Sequence, residues 1–189
     1  MRSSRGFTLI ELLTTITVLA IVMSFAAPGF TELIRSNRAQ SQNSAIAAAF
    51  NLARSEAVKR GRVVSVVAPA AGTWALGWTV GVDGNNDNDF ADTGELLIRA
   101  FPALTGSGLA LVGKSYTTSG TTISRNSSAN VAVIRFDAQG RALASDGARI
   151  AGGAGRVFEF SMGSNYCSLG RDIFVNHLGR VSIQRKVCQ

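Results

Sequence analysis

From Phe7 to Ala27 the chain is an almost uninterrupted apolar run of 21 residues, and Glu11 is its only charge. At 1.5 Å of rise per residue, such a helix spans about 30 Å, the thickness of a bilayer's hydrocarbon core. Arg2 and Arg5 precede the run, so the tip is expected on the cytoplasmic side and the rest of the chain outside. A secretory signal carries a shorter apolar run and then a small-x-small cleavage site; SFAAPGF offers only a weak version, and the length favours a retained helix. Past Pro28 the pattern becomes amphipathic. Phe30, Leu33 and Ile34 share a face, and Ile46, Ala49, Phe50, Ala53 and Ala57 continue it toward a stop at Gly61. One kinked helix from Phe7 to about Arg60 is therefore expected. Its first half faces lipid or a filament core, and its second packs on a domain. Arg35, Arg38, Arg54, Lys59 and Arg60 fall on the other face and read as solvated.

Beyond Gly61 the period switches from helical to two. RVVSVVA, WALGWTVGVD, ELLIRAF, ANVAVIRFD, GRVFEFSM, RDIFVN and GRVSIQRKV read as strands separated by Gly, Asn, Asp and Ser turns, with Trp74 and Trp78 pointing the same way from one of them. The expected fold is α+β: a long kinked N-terminal helix packed on an antiparallel β domain of one sheet or two small ones. Without its first thirty residues the chain keeps about 160, enough for one domain with a real core and too few for two.

Composition supports short strands and turns rather than disorder: glycine is frequent (20), proline scarce (3) and charged residues sparse at 16%. The net charge of +7 is unevenly placed. Residues 83–95 hold five acids and no base, whereas the region from Arg135 onward holds eight bases against four acids. A basic surface suits phosphates, nucleic acid or anionic lipid without choosing among them, and it also serves plain solubility. Nucleophile-elbow, P-loop, HExxH and dinucleotide fingerprints are all missing from the sequence. His177, the single histidine, lacks a nucleophile motif and an acid to orient it, so neither an enzyme nor a cofactor is expected.

Three features carry candidate chemistry. Cys167 and Cys188, on an exported domain, read as one disulfide closing a loop of about twenty residues, worth about 3 kcal/mol in the chain-entropy model. Two free buried thiols are the alternative, and no Cys/His cluster suits zinc. In DGNNDNDFADTGE, oxygens of Asp83, Asn85, Asp87 and Asp89 at alternate positions could wrap calcium. The sixth place is Asn88 rather than Gly and the twelfth Gly94 rather than Glu, so a polar hairpin loop without metal is favoured. Glu11 is the third feature. A carboxylate at the centre of a membrane helix costs about 2.5–3.5 kcal/mol, less near the end, and asks for a partner. A free α-amino group, made by a cut just before Phe7, would supply one. The helix would then leave the bilayer and pack against copies of itself.

RGFTLIELL resembles the prepilin signature of type IV pilins. The resemblance implies cleavage after Gly6 and N-methylation of Phe7 by a prepilin peptidase. Glu11 becomes the fifth mature residue, matching the pilin glutamate that neutralises a neighbouring subunit's N-terminus, and Pro28 falls where pilins carry a helix-kinking proline. NLARSEAVKRGRVVSV, then WALGWTVGVDGNNDNDFADTGELLIR, then a GRVSI stretch ending in Cys188 are similar to the GspH/FimT group of minor pilins and pseudopilins, in order and over most of the chain. On that likeness the segments are a leader (1–6), a membrane or filament-core half-helix (7–27), an amphipathic half-helix (28–61) and a globular β domain (62–189).

The group implies a low-abundance subunit that helps start or cap a filament. Its expected partners are other major and minor pilins, the prepilin peptidase and, before assembly, the inner membrane, with the C-terminal domain in the periplasm and later on the cell-surface pilus. A pseudopilin of a type II secretion system is the alternative. Relatives that take up DNA carry a GRxR motif near a C-terminal disulfide. Gly179 and Arg180 match it, but Ser182 replaces the second arginine. Arg171, Arg185 and Lys186 supply further charge, so DNA is a candidate partner through phosphate contacts. In a regular strand, however, Arg180 and Arg185 would face opposite ways.

Overall fold

The computed structural model describes residues 7–105, 110–119, 122–144, 147–149, 158–163 and 171–186. Gly6, Cys167 and Cys188 lie outside them, and with them the leader cut and the disulfide. The chain divides into two compact units, Met1–Asn37 and Arg38–Gln189.

Helix α1 runs from Leu9 to Arg60. In the first unit, each residue from Phe7 to Phe25 is exposed, Phe7 by 80% and Leu9 by 81%. Thr14, Thr15, Thr17 and Ser24 donate their hydroxyls to carbonyls three or four residues back, at 2.7–3.0 Å. Their polar groups are thereby satisfied within the helix, as an apolar solvent requires. Among the described residues, no single helix is both long and apolar enough to cross a membrane. Leu9–Phe25 and Gly29–Arg60, meeting at a 45° bend, pass that test together. The break between them contains Pro28, a residue without the N–H that the helix ladder needs.

In the second unit, Ile46, Ala49, Phe50, Ala53 and Ala57 of α1 are fully buried. They recur at helical spacing, so one stripe of the helix supplies the core contact. Gly61, at φ +63°, ends the helix in the left-handed conformation that costs glycine least. Two antiparallel five-stranded sheets follow among the described residues. The first holds β1 (Val64–Val67), β2 (Trp78–Val82), β3 (Leu96–Phe101), β6 (Val133–Phe136) and β7 (Ala142–Leu143), in the order β3-β2-β1-β6-β7. The second holds β4 (Ala110–Ser119), β5 (Thr122–Asn130), β8 (Phe158–Gly163), β9 (Arg171–Val175) and β10 (Val181–Arg185), in the order β10-β9-β8-β4-β5.

Val64, Val66, Val80, Ile134 and Phe136 from the first sheet and Leu111, Phe158, Phe160, Ile173 and Val175 from the second join the helix stripe in one apolar cluster. Phe50, Trp74 and Phe160 form its aromatic centre: the Phe50 and Phe160 ring centroids lie 4.8 Å apart, and Trp74 meets Phe160 edge-on at 4.7 Å. Each such pair adds about 0.5–1.5 kcal/mol beyond its buried area.

The two tryptophans do not share a strand. Trp74 opens a 3₁₀ turn (Trp74–Leu76), and its Nε1 donates to the Val131 carbonyl at 2.7 Å. Gly77 then reverses the chain at φ +102°, where a Cβ would come 2.6 Å from the Phe101 carbonyl oxygen. Only at Trp78 does the strand begin, and this ring stacks on Phe101 instead. Strands β4, β5 and β7 lie beyond the expected set. The polar β5 includes Asn126-Ser-Ser, and residues as short and mixed as Ala142–Leu143 form β7 by pairing with β6.

Candidate functional site

Three places collect the expected functional residues. At the start of α1, Thr8 Oγ1 accepts the Glu11 amide at 3.3 Å. A threonine followed three residues later by glutamate is the sequence of a capping box, and its first half is formed here. An acid in the first turn also complements the helix dipole. The hydrogen bond uses the Glu11 backbone amide, so the local part of the Glu11 side chain is its charge in the first turn.

The stretch from Asp83 to Glu95 links β2 to β3 and folds over the outer face of the first sheet. On that face Ser65 of β1 lies opposite Gly81 and opposite Arg135. Phe90 sits over Gly81, where a Cβ would approach its Cδ1 to 2.5 Å, so only a glycine leaves room for the ring. Asp83 and Arg135 are fully buried side chains paired at 3.2 Å. Ser65 Oγ donates to the same Asp83 Oδ2 at 3.0 Å, and Arg135 Nη2 also donates to the Asn86 carbonyl at 2.9 Å and to Asn88 Oδ1 at 2.7 Å. Asn86 and Asn88 have φ of +66° and +75°, a region asparagine tolerates better than most side chains. A single guanidinium between the sheet and the loop therefore anchors the loop at three points.

The alternate-position ligand set Asp83, Asn85, Asp87, Asp89 is not what the loop brings together. Asn85 is a cross-link, donating to Asp87 Oδ2 at 2.8 Å and to Asp92 Oδ2 at 2.7 Å. Asp89 Oδ1 accepts the Ala91 amide at 3.0 Å. The carboxylates that converge are Asp83, Asp87 and Glu95, and separately the exposed Asp87, Asp89 and Asp92, with one oxygen from each residue within 4.8 Å of the others. The Asp89 amide, followed by the Asn85 side chain, holds the Asp87 carboxyl below its ordinary value. Arg135 carried no signal in the sequence, because it is 52 residues from Asp83; Glu95 counts among the loop's acids, but its approach to Asp83 from just before β3 was not legible.

At the end of the chain, β9 and β10 form a hairpin along the edge of the second sheet, in which Arg185 lies directly opposite Arg171. Arg180 precedes β10 in the turn, exposed, and its amide donates to Asn176 Oδ1 at 2.8 Å. Lys186 is engaged: its Nζ donates to Ser161 Oγ at 3.1 Å, and that hydroxyl donates to Asp172 Oδ1 at 2.8 Å. The cross-strand register thus joins Arg171 with Arg185 and leaves Arg180 in the turn. Gly179 has a packing role. It adopts φ +72° and abuts the Gly140 carbonyl oxygen, which also accepts Arg54 Nε at 3.1 Å. Arg54, expected on the solvated face, is half-buried for this reason. His177 and Leu178 flank a cleft of about 280 Å³ shared with Asp137, Arg141 and Arg149.

On α1, Arg60 Nε meets Glu56 Oε2 at 2.6 Å, and this hydrogen bond, with help from Lys59, lowers the Glu56 carboxyl. These are helix-surface pairs of the i,i+3 and i,i+4 kind.

The sequence model described as "Type II transport protein GspH" matches residues 42–179, and that of the prokaryotic N-terminal methylation motif matches residues 1–27. No curated protein sequence matches the chain. Among solved structures, the type IV minor pilin FimU of Pseudomonas aeruginosa, in its P21 crystal form, aligns at a TM-score of 0.54 and 20% identity over 78% of this chain and 89% of FimU. The P65 form gives 0.50 and 20% over 77% and 91%. At that identity the likeness is one of fold: a long N-terminal helix on two antiparallel sheets, the type IV pilin architecture.

Proposed function

The chain belongs to the GspH family of pilin-like subunits, and from that premise we propose that it is a minor pilin of a type IV pilus, helping to start assembly at or near the tip. The observation that supports this most is the segment from Phe7 to Phe25, helical from Leu9, whose apolar side chains are all exposed. Burying them needs lipid first and neighbouring helices afterwards. In this reading a prepilin peptidase cuts between Gly6 and Phe7 and methylates the new terminus. Until assembly the helix is a single-pass anchor in the inner membrane, with the β domain in the periplasm. Glu11 then meets a neighbour's N-terminus as the helix enters a filament at the cell surface. The subunit acts by packing and contact with other major and minor pilins, not by turnover.

A pseudopilin of a type II secretion system is the second reading, favoured by the family's own description as a type II transport protein. DNA capture for transformation is an extension of the first reading. It rests on Arg185 and Arg180, both exposed at the β9–β10 hairpin, with Arg171 opposite Arg185. Lys186, engaged by Ser161, has less to offer a phosphate.

Deletion of the gene, scored for piliation, twitching, DNA uptake and secretion together, separates these readings. Loss of pili and twitching with normal secretion is the expected result. Loss of secretion alone would overturn the pilus assignment, and normal DNA uptake in piliated cells would remove the DNA extension.

A further inference from the structure

We propose that Asp83, Asp87 and Glu95 hold a divalent cation of the calcium class, pinned between the outer face of the first sheet and the loop that covers it. Carboxylate oxygens of these three residues lie within 4.8 Å of one another. Ligands of one calcium ion at 2.3–2.6 Å are at most about 5 Å apart, so a single ion can reach all three.

Clustered acids alone would not carry this. The independent observation is a pair of buried oxygens without donors. The Asp83 side chain is fully buried, and its Oδ1 has no hydrogen-bond partner; Glu95 Oε2 is likewise buried and unpartnered. An ionised oxygen taken out of water without compensation is costly. The other oxygen of each carboxylate is engaged. Asp83 Oδ2 accepts from Ser65 and Arg135, and Glu95 Oε1 accepts from the Gly84 amide at 2.8 Å and the Asn85 amide at 3.4 Å. Each group is thus held in place by one oxygen, and its other oxygen is buried without a donor. Outer-shell partners hold metal ligands in this way. Asp87 differs: its Oδ1 accepts the Asp89 amide and its Oδ2 the Asn85 side chain, so both oxygens are positioned and a cation would share them with those donors.

Charge points in the same direction. The loop carries five carboxylates, set against Arg135, which pairs with Asp83, and Arg62, whose Nη1 donates to the Gly94 carbonyl. A dication offsets most of the excess. The donors are hard oxygens without histidine or cysteine, which suits calcium and not zinc. Calcium also accepts irregular oxygen sets that magnesium, with its strict octahedron, does not. The exposed Asp87, Asp89 and Asp92 group contains no buried unpartnered oxygen and is not assigned. The ion would tie the first and last residues of the loop together. It is independent of how the subunit is used in a filament.

The test is calorimetric titration of the full chain in detergent micelles, after chelator treatment, with calcium chloride and separately with magnesium chloride. One calcium site is expected, with Kd about 10⁻⁴–10⁻³ M, as in exposed extracellular modules. Asp87→Asn and Glu95→Gln, which leave the buried Asp83–Arg135 pair intact, should each weaken it by about tenfold or more while keeping the wild-type circular dichroism. Absence of calcium heat at about 10 mM, well above that Kd range, would overturn the proposal. So would wild-type affinity in both variants. An equal response to magnesium would overturn the calcium assignment.

Discussion

Arg135→Met tests whether the loop is anchored from beneath. The change keeps most of the side chain's length and removes the charge, leaving Asp83 buried without an opposite charge, with the Ser65 hydroxyl still donating to it. Unit charges 3.2 Å apart attract by about 5 kcal/mol at an effective dielectric of 20. That attraction offsets the cost of desolvating both groups, so the intact pair contributes little net stability. Breaking it from one side exposes the full penalty, about 3–5 kcal/mol. The Asn86 carbonyl and the Asn88 amide also lose a donor. Both belong to a loop that reaches water, so they add little to the loss. Against a total of about 5–15 kcal/mol, the variant is expected near the edge of folding.

Asp83→Leu combined with Arg135→Met removes both charges and should cost less than the two single changes added, by about 1–3 kcal/mol. Guanidinium unfolding in detergent micelles, followed by tryptophan fluorescence, measures this directly. The chain's 2 tryptophans, Trp74 and Trp78, are both buried in the second unit, so the signal is blind to the apolar half-helix. A single variant within about 1 kcal/mol of wild type, or strict additivity, would refute the reasoning.

Two further outcomes follow from the helix start and from the C-terminal turn. Glu11→Ala should still be processed yet fail to enter filaments; Glu11→Gln, which keeps the first-turn hydrogen-bonding character without the charge, should fail equally, and normal incorporation of either, by immunoblot of sheared filaments, would refute the charge pairing. Gly179→Ala puts a Cβ at φ +72° against the Gly140 carbonyl oxygen, and should destabilise the second unit by about 1–3 kcal/mol in the same fluorescence assay; an unchanged midpoint would show that the turn shifts freely.

The long helix was legible because its signals are local. An unbroken apolar run, a proline and a 3.6-residue stripe ending at Gly61 are properties of adjacent residues; they predict a helix from Phe7 to about Arg60, and α1 runs from Leu9 to Arg60. Seven strands were legible for the same reason: alternation and turn residues mark them. Strands β4, β5 and β7 were not. The polar β5 and the two-residue β7 are strands because neighbouring backbones pair with them, and such pairing leaves no imprint on short polar segments. The Trp74/Trp78 spacing suggested one face of one strand. Gly77 breaks it, and nothing in the alternation separates a 3₁₀ turn from the first turn of a pleat.

By itself, then, the sequence determined the class of the molecule: an apolar helical stalk with one acid near its start, followed by a β domain. These are consequences of composition and period, which act over a few residues. Tertiary structure decided which distant groups meet. It placed Arg135 under a loop that begins 52 residues earlier, set Arg171 opposite Arg185, drew Arg54 from the solvated face to the Gly140 carbonyl, and brought the carboxylates of Asp83, Asp87 and Glu95 together. Each of these depends on strand register and on close approach of backbones at glycines. Register and approach are fixed by the packing of the whole domain, so no window of the sequence contains them.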